Sequence, residues 1–457
     1  MGLALSGVVT VWAGYMLYKK YKPQGVLFAA GVILLLCAAI FHMGTIVPAK
    51  QATGSMLTDV FKSIEVLFSS RIAGLGLTIM SIGGFVRYME KTGANRALVE
   101  MAATPLKYLH NPIIVFIVAY IIGQCISIFI PSHAGMGLLL MLTMYPILVE
   151  SGMNKITAVT IISTSKFTDI GPLSSNAILA AKTGGVDPVI YFLKWQMPVL
   201  IPCLITVAVA HYFIQPWWDR REAAKGVNVY VEANDNETNK DVVKVPFVYG
   251  FLPVLPLALI IIFSPLFKIG IKMSVVSAMI LSVVVAVIFE IVRTKNLQEV
   301  MKNFMLFFEG MGKQFIVVVS LIICAETYAK GLVSTGTIDQ LIKLVQAGNF
   351  GLAGIATAVA IIMVVCSFIM GSGNAAFFAF AGLAPKIATS IGAEPIRILL
   401  TMELAAGFGR ACSPITPAIV AMSAIAGVNP FHVAKRSAIP VMLGFVVFMI
   451  TDYIMFL

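Results

Sequence analysis

The chain contains 457 residues, of which 59% are hydrophobic and only 12% are charged, and its formal net charge is +11. Soluble globular domains carry about 25% charged residues, so this composition excludes an ordinary soluble protein and indicates a membrane protein. The positive charge does not indicate a nucleic-acid partner, because Lys and Arg lie in short loops beside apolar segments, where they orient transmembrane helices.

The apolar segments predict helices that cross a lipid bilayer. They reach about 20 residues, enough to span roughly 30 Å of hydrocarbon, and they lack the alternation of a membrane β-barrel. Residues 1–18 lack a basic start and a cleavage site, so we expect a retained first span and not a signal peptide. A second span is expected at 25–42 and a third at 72–89, with amphipathic surface helices at 55–68 and 96–109.

Residues 112–150 decide the architecture of the first half. Two apolar arms meet at the polar sequence Pro131–Gly135, with Lys107 before the pair and Lys155 after it. Charges of one sign at both ends favour a re-entrant hairpin that enters and leaves on the cytoplasmic side. Two full spans joined by an external turn are the alternative.

A broken helix follows the hairpin. We predict it over 155–183, with an interruption at Ser165–Pro172, because proline removes a backbone donor and clashes with the preceding turn. A span at 194–215 completes a first unit, residues 1–217. Residues 218–246 are polar and too short for a domain, and they predict a cytoplasmic linker.

The second unit, residues 247–457, repeats this pattern. A hairpin is predicted at 352–390 with its tip at Gly371–Asn374, and a broken helix at 395–426 with its interruption over Ala406–Pro414. The remaining predicted segments are spans at 247–267, 273–292, 313–330 and 436–455, a surface helix at 297–309 and an amphipathic piece at 337–346.

The two units match at single residues. Pro172 and Pro414 are 242 positions apart (414 − 172), and the same spacing joins Gly185 to Gly427, Pro188 to Pro430 and Pro198 to Pro440. We interpret this as an internal duplication. If each hairpin makes no net crossing, each unit crosses five times and the second lies upside down. The expected fold is therefore an all-α polytopic membrane protein of two inverted-topology repeats, each with a re-entrant hairpin and a broken transmembrane helix, as in secondary transporters.

The four breaks supply the candidate binding site. Each leaves N–H groups free at the start of a half-helix, where the dipole favours an anion, and short polar side chains lie around them. Such residues also permit close helix packing without any ligand. The predicted substrate-binding residues are Ser132, His133, Thr168, Ser174, Ser175, Asn176, Ser372, Gly373, Asn374, Arg410, Ser413 and Thr416.

Charged residues at the breaks suggest further roles. Arg410 could clamp a substrate carboxylate or pair with Glu403, and Lys166 could pair with Asp169 to keep the first break polar. His133, Asp169 and Glu403 are the candidates for ion coupling, since a histidine titrates near neutral pH. No cofactor is expected apart from a coupling Na⁺ or H⁺, and a Na⁺ could be held at Ser132, Ser372 and Asn374.

No enzymatic pattern competes with this interpretation. Gly371-Ser372-Gly373 has no nearby histidine to complete a nucleophile–base pair, and the sequence has no HExxH, P-loop or dinucleotide-binding motif. The six cysteines are scattered singly in apolar segments, without a metal-binding or redox spacing. We therefore predict that the chain is not an enzyme.

Three segments of the second unit resemble the DcuC-type anaerobic C4-dicarboxylate carriers of the ion-transporter superfamily. They are Gly371–Phe380, Gly409–Pro414 and Asn429–Arg436. The resemblance implies uptake, exchange or efflux of succinate, fumarate or malate across a bacterial inner membrane. It also implies a homodimer in which a substrate-carrying unit slides against a fixed scaffold, as in elevator-type carriers.

The leading hypothesis is thus an ion-coupled or exchanging carrier for small carboxylates in the lipid bilayer. A carrier for an amino acid or another organic acid is the nearest alternative, because Lys166 and Asp169 could face a zwitterion. An anion channel would use the same donors without two-state hairpins. An intramembrane hydrolase is the most distant alternative.

Overall fold

A computed structural model describes residues 2–19, 21–109, 112–225, 245–267, 269–337, 340 and 351–456. Within these ranges the regular elements are helices. Seven of them are long and apolar enough to cross a membrane. Two predicted segments fall outside the described residues. They are residues 226–244 of the predicted linker and nearly all of the predicted amphipathic segment 337–346.

The first half begins with α1 (Gly2–Tyr18) and α2 (Pro23–Ile40), followed by α3 (Met56–Thr92) and α4 (Ala94–Ala103). The hairpin region contains α5 (Pro112–Phe129), α6 (His133–Thr143) and α7 (Tyr145–Glu150). The remaining helices of this half are α8 (Lys155–Thr164), α9 (Ser175–Thr183) and α10 (Pro188–Glu222).

The second half begins with a 3₁₀ segment (Phe247–Val254) that leads into α11 (Leu255–Ile262), followed by α12 (Val275–Thr294) and α13 (Leu297–Ser334). Its hairpin region contains α14 (Gly351–Met370), α15 (Gly373–Phe380) and α16 (Ala384–Ser390). The last three helices are α17 (Pro395–Ala411), α18 (Pro417–Ala426) and α19 (Pro430–Phe456).

Local sequence explains where many of these helices begin and end. Proline occupies the first turn of α2, α17 and α18, where its missing N–H has no intrahelical partner to lose. Ser132 and Ser372 cap α6 and α15, because each hydroxyl oxygen accepts a hydrogen bond from the backbone N–H three residues later. Gly371 has a φ of 63°, a left-handed conformation that glycine adopts without strain at the second tip.

Three predicted boundaries were wrong. The segments 55–68 and 72–89 form one continuous helix, α3, and the segments 297–309 and 313–330 form another, α13. The predicted gaps are α-helical, and each helix contains a π-helical turn just after the gap, at Ile72–Gly76 and Phe315–Val319. In the second broken helix, α17 stays helical to Ala411, so the interruption is Cys412–Thr416 and Arg410 lies in the last helical turn.

The helices pack in two groups. In one, α3 lies along α13, α2 packs on α13 and α12 packs on α3. Close approach depends on small residues, since a Cβ on Gly310 would lie 2.5 Å from the Gly83 carbonyl oxygen. In the other group, α10 lies along α19, and α17 packs against α14 and α15. This second group also contains the interruptions of both broken helices, where the polar side chains are found.

Candidate functional site

The break in the first broken helix lies directly against α17. A Cβ on Gly407 would meet the Thr168 Cα at 2.8 Å and the Phe167 carbonyl oxygen at 2.9 Å, so only glycine allows this approach. The tip before α15 reaches the same helix, because a Cβ on Gly373 would lie 2.7 Å from the Ala406 carbonyl oxygen. The first broken helix and the second hairpin thus meet on one face of α17.

Arg410 is the centre of this meeting point. Its Nη1 donates to the Asp169 Oδ2 at 2.8 Å and to the Asn374 Oδ1 at 3.1 Å, and its Nη2 donates at 3.3 Å to the carbonyl oxygens of Lys166 and Phe167. The side chains of Arg410 and Asp169 are only 6% and 5% exposed. A buried charge of this kind is stable only with a paired, hydrogen-bonded partner.

The predicted charge pairs were therefore wrong. Arg410 pairs with Asp169. Among the described residues, Arg410 forms no ion pair with Glu403, and Lys166 forms none with Asp169. The Lys166 Nζ instead donates to the Ser127 carbonyl oxygen at 2.9 Å, near the end of α5.

Asn176 links the remaining side chains. Its Nδ2 donates to the Asp169 Oδ2 at 3.0 Å and to the Asn374 Oδ1 at 3.3 Å. Asn374 therefore accepts from both Arg410 and Asn176, and the second hairpin tip is hydrogen-bonded to two separate helix breaks. Lone pairs on the Asn374 oxygen are already directed at donors, which leaves this atom poorly suited to bind a Na⁺ ion in the conformation described.

Several buried polar atoms around Arg410 have no partner among the described residues. They are the Thr168 Oγ1, Asn176 Oδ1, Arg410 Nε and Ser413 Oγ. Buried polar groups in native proteins are nearly always hydrogen-bonded, so a group of unpaired ones needs an explanation such as a ligand or water. Three of the four can donate a hydrogen bond, as a carboxylate requires.

The other predicted residues have identifiable structural roles. Ser132 and Ser372 cap their helices, and Thr416 donates to the Arg410 carbonyl oxygen at 2.8 Å. Ser174 is buried and Ser175 is half-buried at the start of α9, without side-chain cap bonds.

The first tip lies beside the network without a direct hydrogen bond to it. The His133 Nε2 is 3.3 Å from the Ser163 carbonyl oxygen, and its Nδ1 is buried without a partner. A Cβ on Gly137 would lie 2.7 Å from the Met422 sulfur, so α6 packs closely on α18. Ser132 is exposed, and no hydrogen bond joins it to Ser372 or Asn374 in the described part of the chain.

Glu403 is fully buried and held by neutral donors. The Tyr191 hydroxyl donates to its Oε2, and the Gln196 Nε2 lies 3.0 Å and 3.1 Å from its two oxygens. Gln196 also donates to the Asp169 carbonyl oxygen at 3.1 Å and accepts from the Gly171 N–H at 3.1 Å. Sequence reasoning missed Tyr191 and Gln196, although polar residues within an apolar span are a recognised signal of function.

A second buried ionic cluster lies where α10 meets α19. The fully buried Arg436 donates to Asp219 at 2.6 Å, to Glu222 at 2.5 Å and to the Thr157 hydroxyl at 2.8 Å. Its charge is thus fully compensated by the protein itself. The described residues contain no group of three or more His, Cys, Asp or Glu side chains placed to hold a metal ion.

Comparison with known proteins gives consistent matches along the whole chain. The family model described as DcuC, C4-dicarboxylate anaerobic carrier, matches residues 1–457. A Vibrio cholerae protein named "Probable anaerobic C4-dicarboxylate transporter DcuC" is 31% identical over 445 residues, which cover 97% of this chain and 95% of the relative. The anaerobic C4-dicarboxylate transporter DcuC of Escherichia coli is 30% identical over 455 residues, covering 99% and 96%.

One solved structure has a similar fold. The YdaH transporter of Alcanivorax borkumensis aligns with a TM-score of 0.60 over 95% of this chain and 98% of that one. Sequence identity is 13%, so this similarity concerns the fold alone.

Proposed function

This chain belongs to the DcuC family of C4-dicarboxylate anaerobic carriers, and we propose that Arg410 and the surrounding breaks bind the dicarboxylate that it transports. The protein is a membrane transporter and not an enzyme. Succinate, fumarate and malate are the proposed substrates, carried by a secondary active mechanism with alternating access.

The observation that carries the site is the group of unpaired buried donors around Arg410. The Thr168 hydroxyl, the Ser413 hydroxyl and the Arg410 Nε–H lack partners in the part of the chain that the structure describes. A carboxylate accepts up to about four hydrogen bonds, and charge-assisted bonds are the stronger kind. Arg410 and Lys166 carry two positive charges against one negative charge on Asp169, so an anion is favoured.

The repeated helix order supports two inverted repeats with re-entrant hairpins. In both halves a long helix with a π-helical turn precedes the paired arms, the break and the final long helix. In this scheme α12 is the counterpart of α2, and α13 is the counterpart of α3. Helix α2 packs on α13, and correspondingly α12 packs on α3. An exchange of partners of this kind is expected for two copies related by a two-fold axis. We place the units at 1–217 and 247–457. The predicted linker 218–246 begins within a helix that continues to Lys225.

The two groups of helices suggest an elevator mechanism. In this proposal, α2, α3, α12 and α13 form the scaffold of a homodimer, and the hairpins and broken helices move as the substrate-carrying unit. The location is a bacterial inner membrane, and the coupling ion is Na⁺ or H⁺.

A cationic cavity lies between the two groups, where its charge favours an anion. It has a volume of about 260 Å³, and Arg71, Lys330 and Lys386 line it. Glu326, the one acid among the described lining residues, already accepts from the Arg71 Nε at 2.6 Å. The two lysines therefore leave this cavity with surplus positive charge.

The alternatives differ in what they require of Asp169. An amino-acid substrate would need an acid free to receive its ammonium group, but Asp169 already accepts from Arg410 and Asn176. This arrangement favours a dicarboxylate over a zwitterion. An anion channel would need a continuous polar path, whereas Arg410 is sealed between three packed elements.

The test is exchange in proteoliposomes that contain the purified full-length chain and unlabelled succinate. We expect saturable uptake of labelled succinate that fumarate and malate inhibit and glutamate does not. Arg410→Ala and Asn374→Ala should each abolish uptake, and Asn296→Ala, which removes an exposed amide at the start of α13, should not. Normal uptake by both site variants would place the site elsewhere, and flux that does not saturate would indicate a channel.

A further inference from the structure

A second buried carboxylate lies close to the first turns of α17. The Asp452 side chain, on α19, is completely buried, and its Oδ2 is 2.7 Å from the Thr401 Oγ1. Its Oδ1 is buried and has no hydrogen-bond partner among the described residues. An isolated carboxylate charge in such a place is costly, and the usual outcome is that the group binds a proton.

The hydrogen-bond directions around Thr401 lead to the same conclusion. Its hydroxyl lies 3.0 Å from the Arg397 carbonyl oxygen and 2.7 Å from Asp452. One hydroxyl proton cannot be donated to both acceptors. Both contacts are satisfied when Thr401 donates to the carbonyl and a protonated Asp452 donates to the Thr401 oxygen.

Asp452 and Glu403 are two buried acids with no cation in contact among the described residues. Tyr191 is within electrostatic range of both Asp452 and Glu403, and Asp169 acts on Glu403. Arg397 directs its guanidinium to the Phe456 carbonyl oxygen at 2.9 Å and to the Glu394 side chain. No Lys or Arg contacts Asp452 or Glu403 in the described residues.

Gln196 connects these acids to the dicarboxylate site. It contacts both Glu403 oxygens and also donates to the Asp169 carbonyl oxygen. A change in the protonation of Glu403 therefore alters a side chain that is bonded to the backbone of the first break. Tyr191 donates to Glu403 and lies within electrostatic range of Asp452, which is one helical turn before the end of α19.

We propose that Asp452 and Glu403 bind the protons that move with the dicarboxylate, with Asp452 nearer the surface and Glu403 nearer the substrate. The proposal rests on the transport function given above. One proton binds a carboxylate oxygen from water on one side of the membrane and leaves to water on the other side. No bond other than these O–H bonds forms or breaks.

Two measurements on the same proteoliposomes separate proton coupling from transport. Exchange of labelled for unlabelled succinate needs no net proton movement, whereas accumulation driven by an imposed pH gradient does. For Asp452→Asn and Glu403→Gln we expect exchange within about two-fold of wild type and accumulation reduced at least ten-fold. A fluorescent pH indicator inside the vesicles should report succinate-driven proton movement in wild type and none in either variant.

The outcomes are decisive in both directions. The proposal is overturned if Asp452→Asn accumulates succinate as wild type does. It is also overturned if Asp452→Asn loses both exchange and accumulation, because Asp452 would then support folding or substrate binding. Wild-type protein that exchanges succinate but never responds to a pH gradient overturns proton coupling and leaves the transport function intact. Glu65→Gln, at a side chain that is 67% exposed, is the control and should match wild type in both measurements.

Discussion

Replacing Arg410 by alanine tests whether this residue serves the fold, the substrate or both. The change removes four hydrogen bonds and leaves the buried Asp169 carboxylate with Asn176 as its remaining side-chain donor. Breaking a buried ion pair by deleting one partner costs about 3–5 kcal/mol. We expect Arg410→Ala to lower the apparent melting temperature clearly and to abolish succinate binding.

A double variant separates the two effects. Asp169→Asn with Arg410→Gln removes both charges, so no unpaired carboxylate remains buried. The large cost of a broken buried pair comes from the uncompensated charge. Because Asn and Gln carry no charge and can hydrogen-bond to each other, we expect the double variant to regain most of the lost stability. Succinate binding should stay lost, because charge-assisted hydrogen bonds worth about 1.5–3 kcal/mol are missing. That energy corresponds to roughly a 10- to 150-fold weaker affinity.

The assay is thermal unfolding in detergent with and without succinate, followed by exchange in proteoliposomes. A ligand that binds the folded state raises the melting temperature by mass action. Wild type should be stabilised by succinate, and neither variant should respond. A double variant that exchanges succinate at the wild-type rate would refute a substrate role for Arg410. A single variant as stable as wild type would refute the ion pair.

Three further changes test the packing around the site. Gly409→Ala places a Cβ 2.2 Å from the Val364 carbonyl oxygen, so it should displace α14 and reduce exchange at least ten-fold. The control is Gly312→Ala, whose Cβ would have nothing within 4 Å and which should have no effect on exchange. Arg436→Met should lower stability by about 3 kcal/mol, the low end for a broken buried pair, because Glu222 stays largely buried whereas Asp219 is partly exposed. The succinate affinity of the folded fraction, from thermal-shift titration, should be unchanged. Ser372→Ala removes the cap of α15 and should cost about 1 kcal/mol, measured as a small melting shift with exchange retained. Loss of exchange would instead indicate that the Ser372 hydroxyl binds the substrate.

The positions of the helix breaks were accessible from the sequence because local chemistry determines them. Proline, glycine and capping serines act within a few residues, and the hairpin tip at Gly371 and the break before Pro172 follow from them. The end of α17 was placed too early, because Gly407 and Gly409 resemble a break in a single sequence. In the structure both serve helix packing, since each lies against the backbone of a neighbouring element.

The partners of the charged residues were not accessible in this way. Asp169 and Arg410 are 241 positions apart, and which faces of two helices meet depends on packing over the whole chain. Glu403 lies seven residues before Arg410 on the same helix, yet it is directed to Tyr191 and Gln196 on α10. Spacing along a helix identifies which residues share a face, and it does not identify the opposing element.

The proposed duplication relates two halves of the chain that differ in charge. At a spacing of 242, six polar side chains of the network have an apolar counterpart in the other half; the pairs are Lys166 and Phe408, Asp169 and Ala411, Asn176 and Ala418, Tyr191 and Val433, Gln196 and Ala438, and Glu403 and Ile161. Arg410 and Asn374 correspond to Thr168 and Ser132, which are polar but uncharged. The two halves therefore differ in charge, and under the proposed duplication only one of the two related positions has the charged groups to hold a dianion. Since unpaired charge in a bilayer is costly, a single charged pocket limits that cost to the place where the substrate is bound. In the proposed elevator movement, the uncharged counterpart exposes no charge as it passes lipid-facing or scaffold helices.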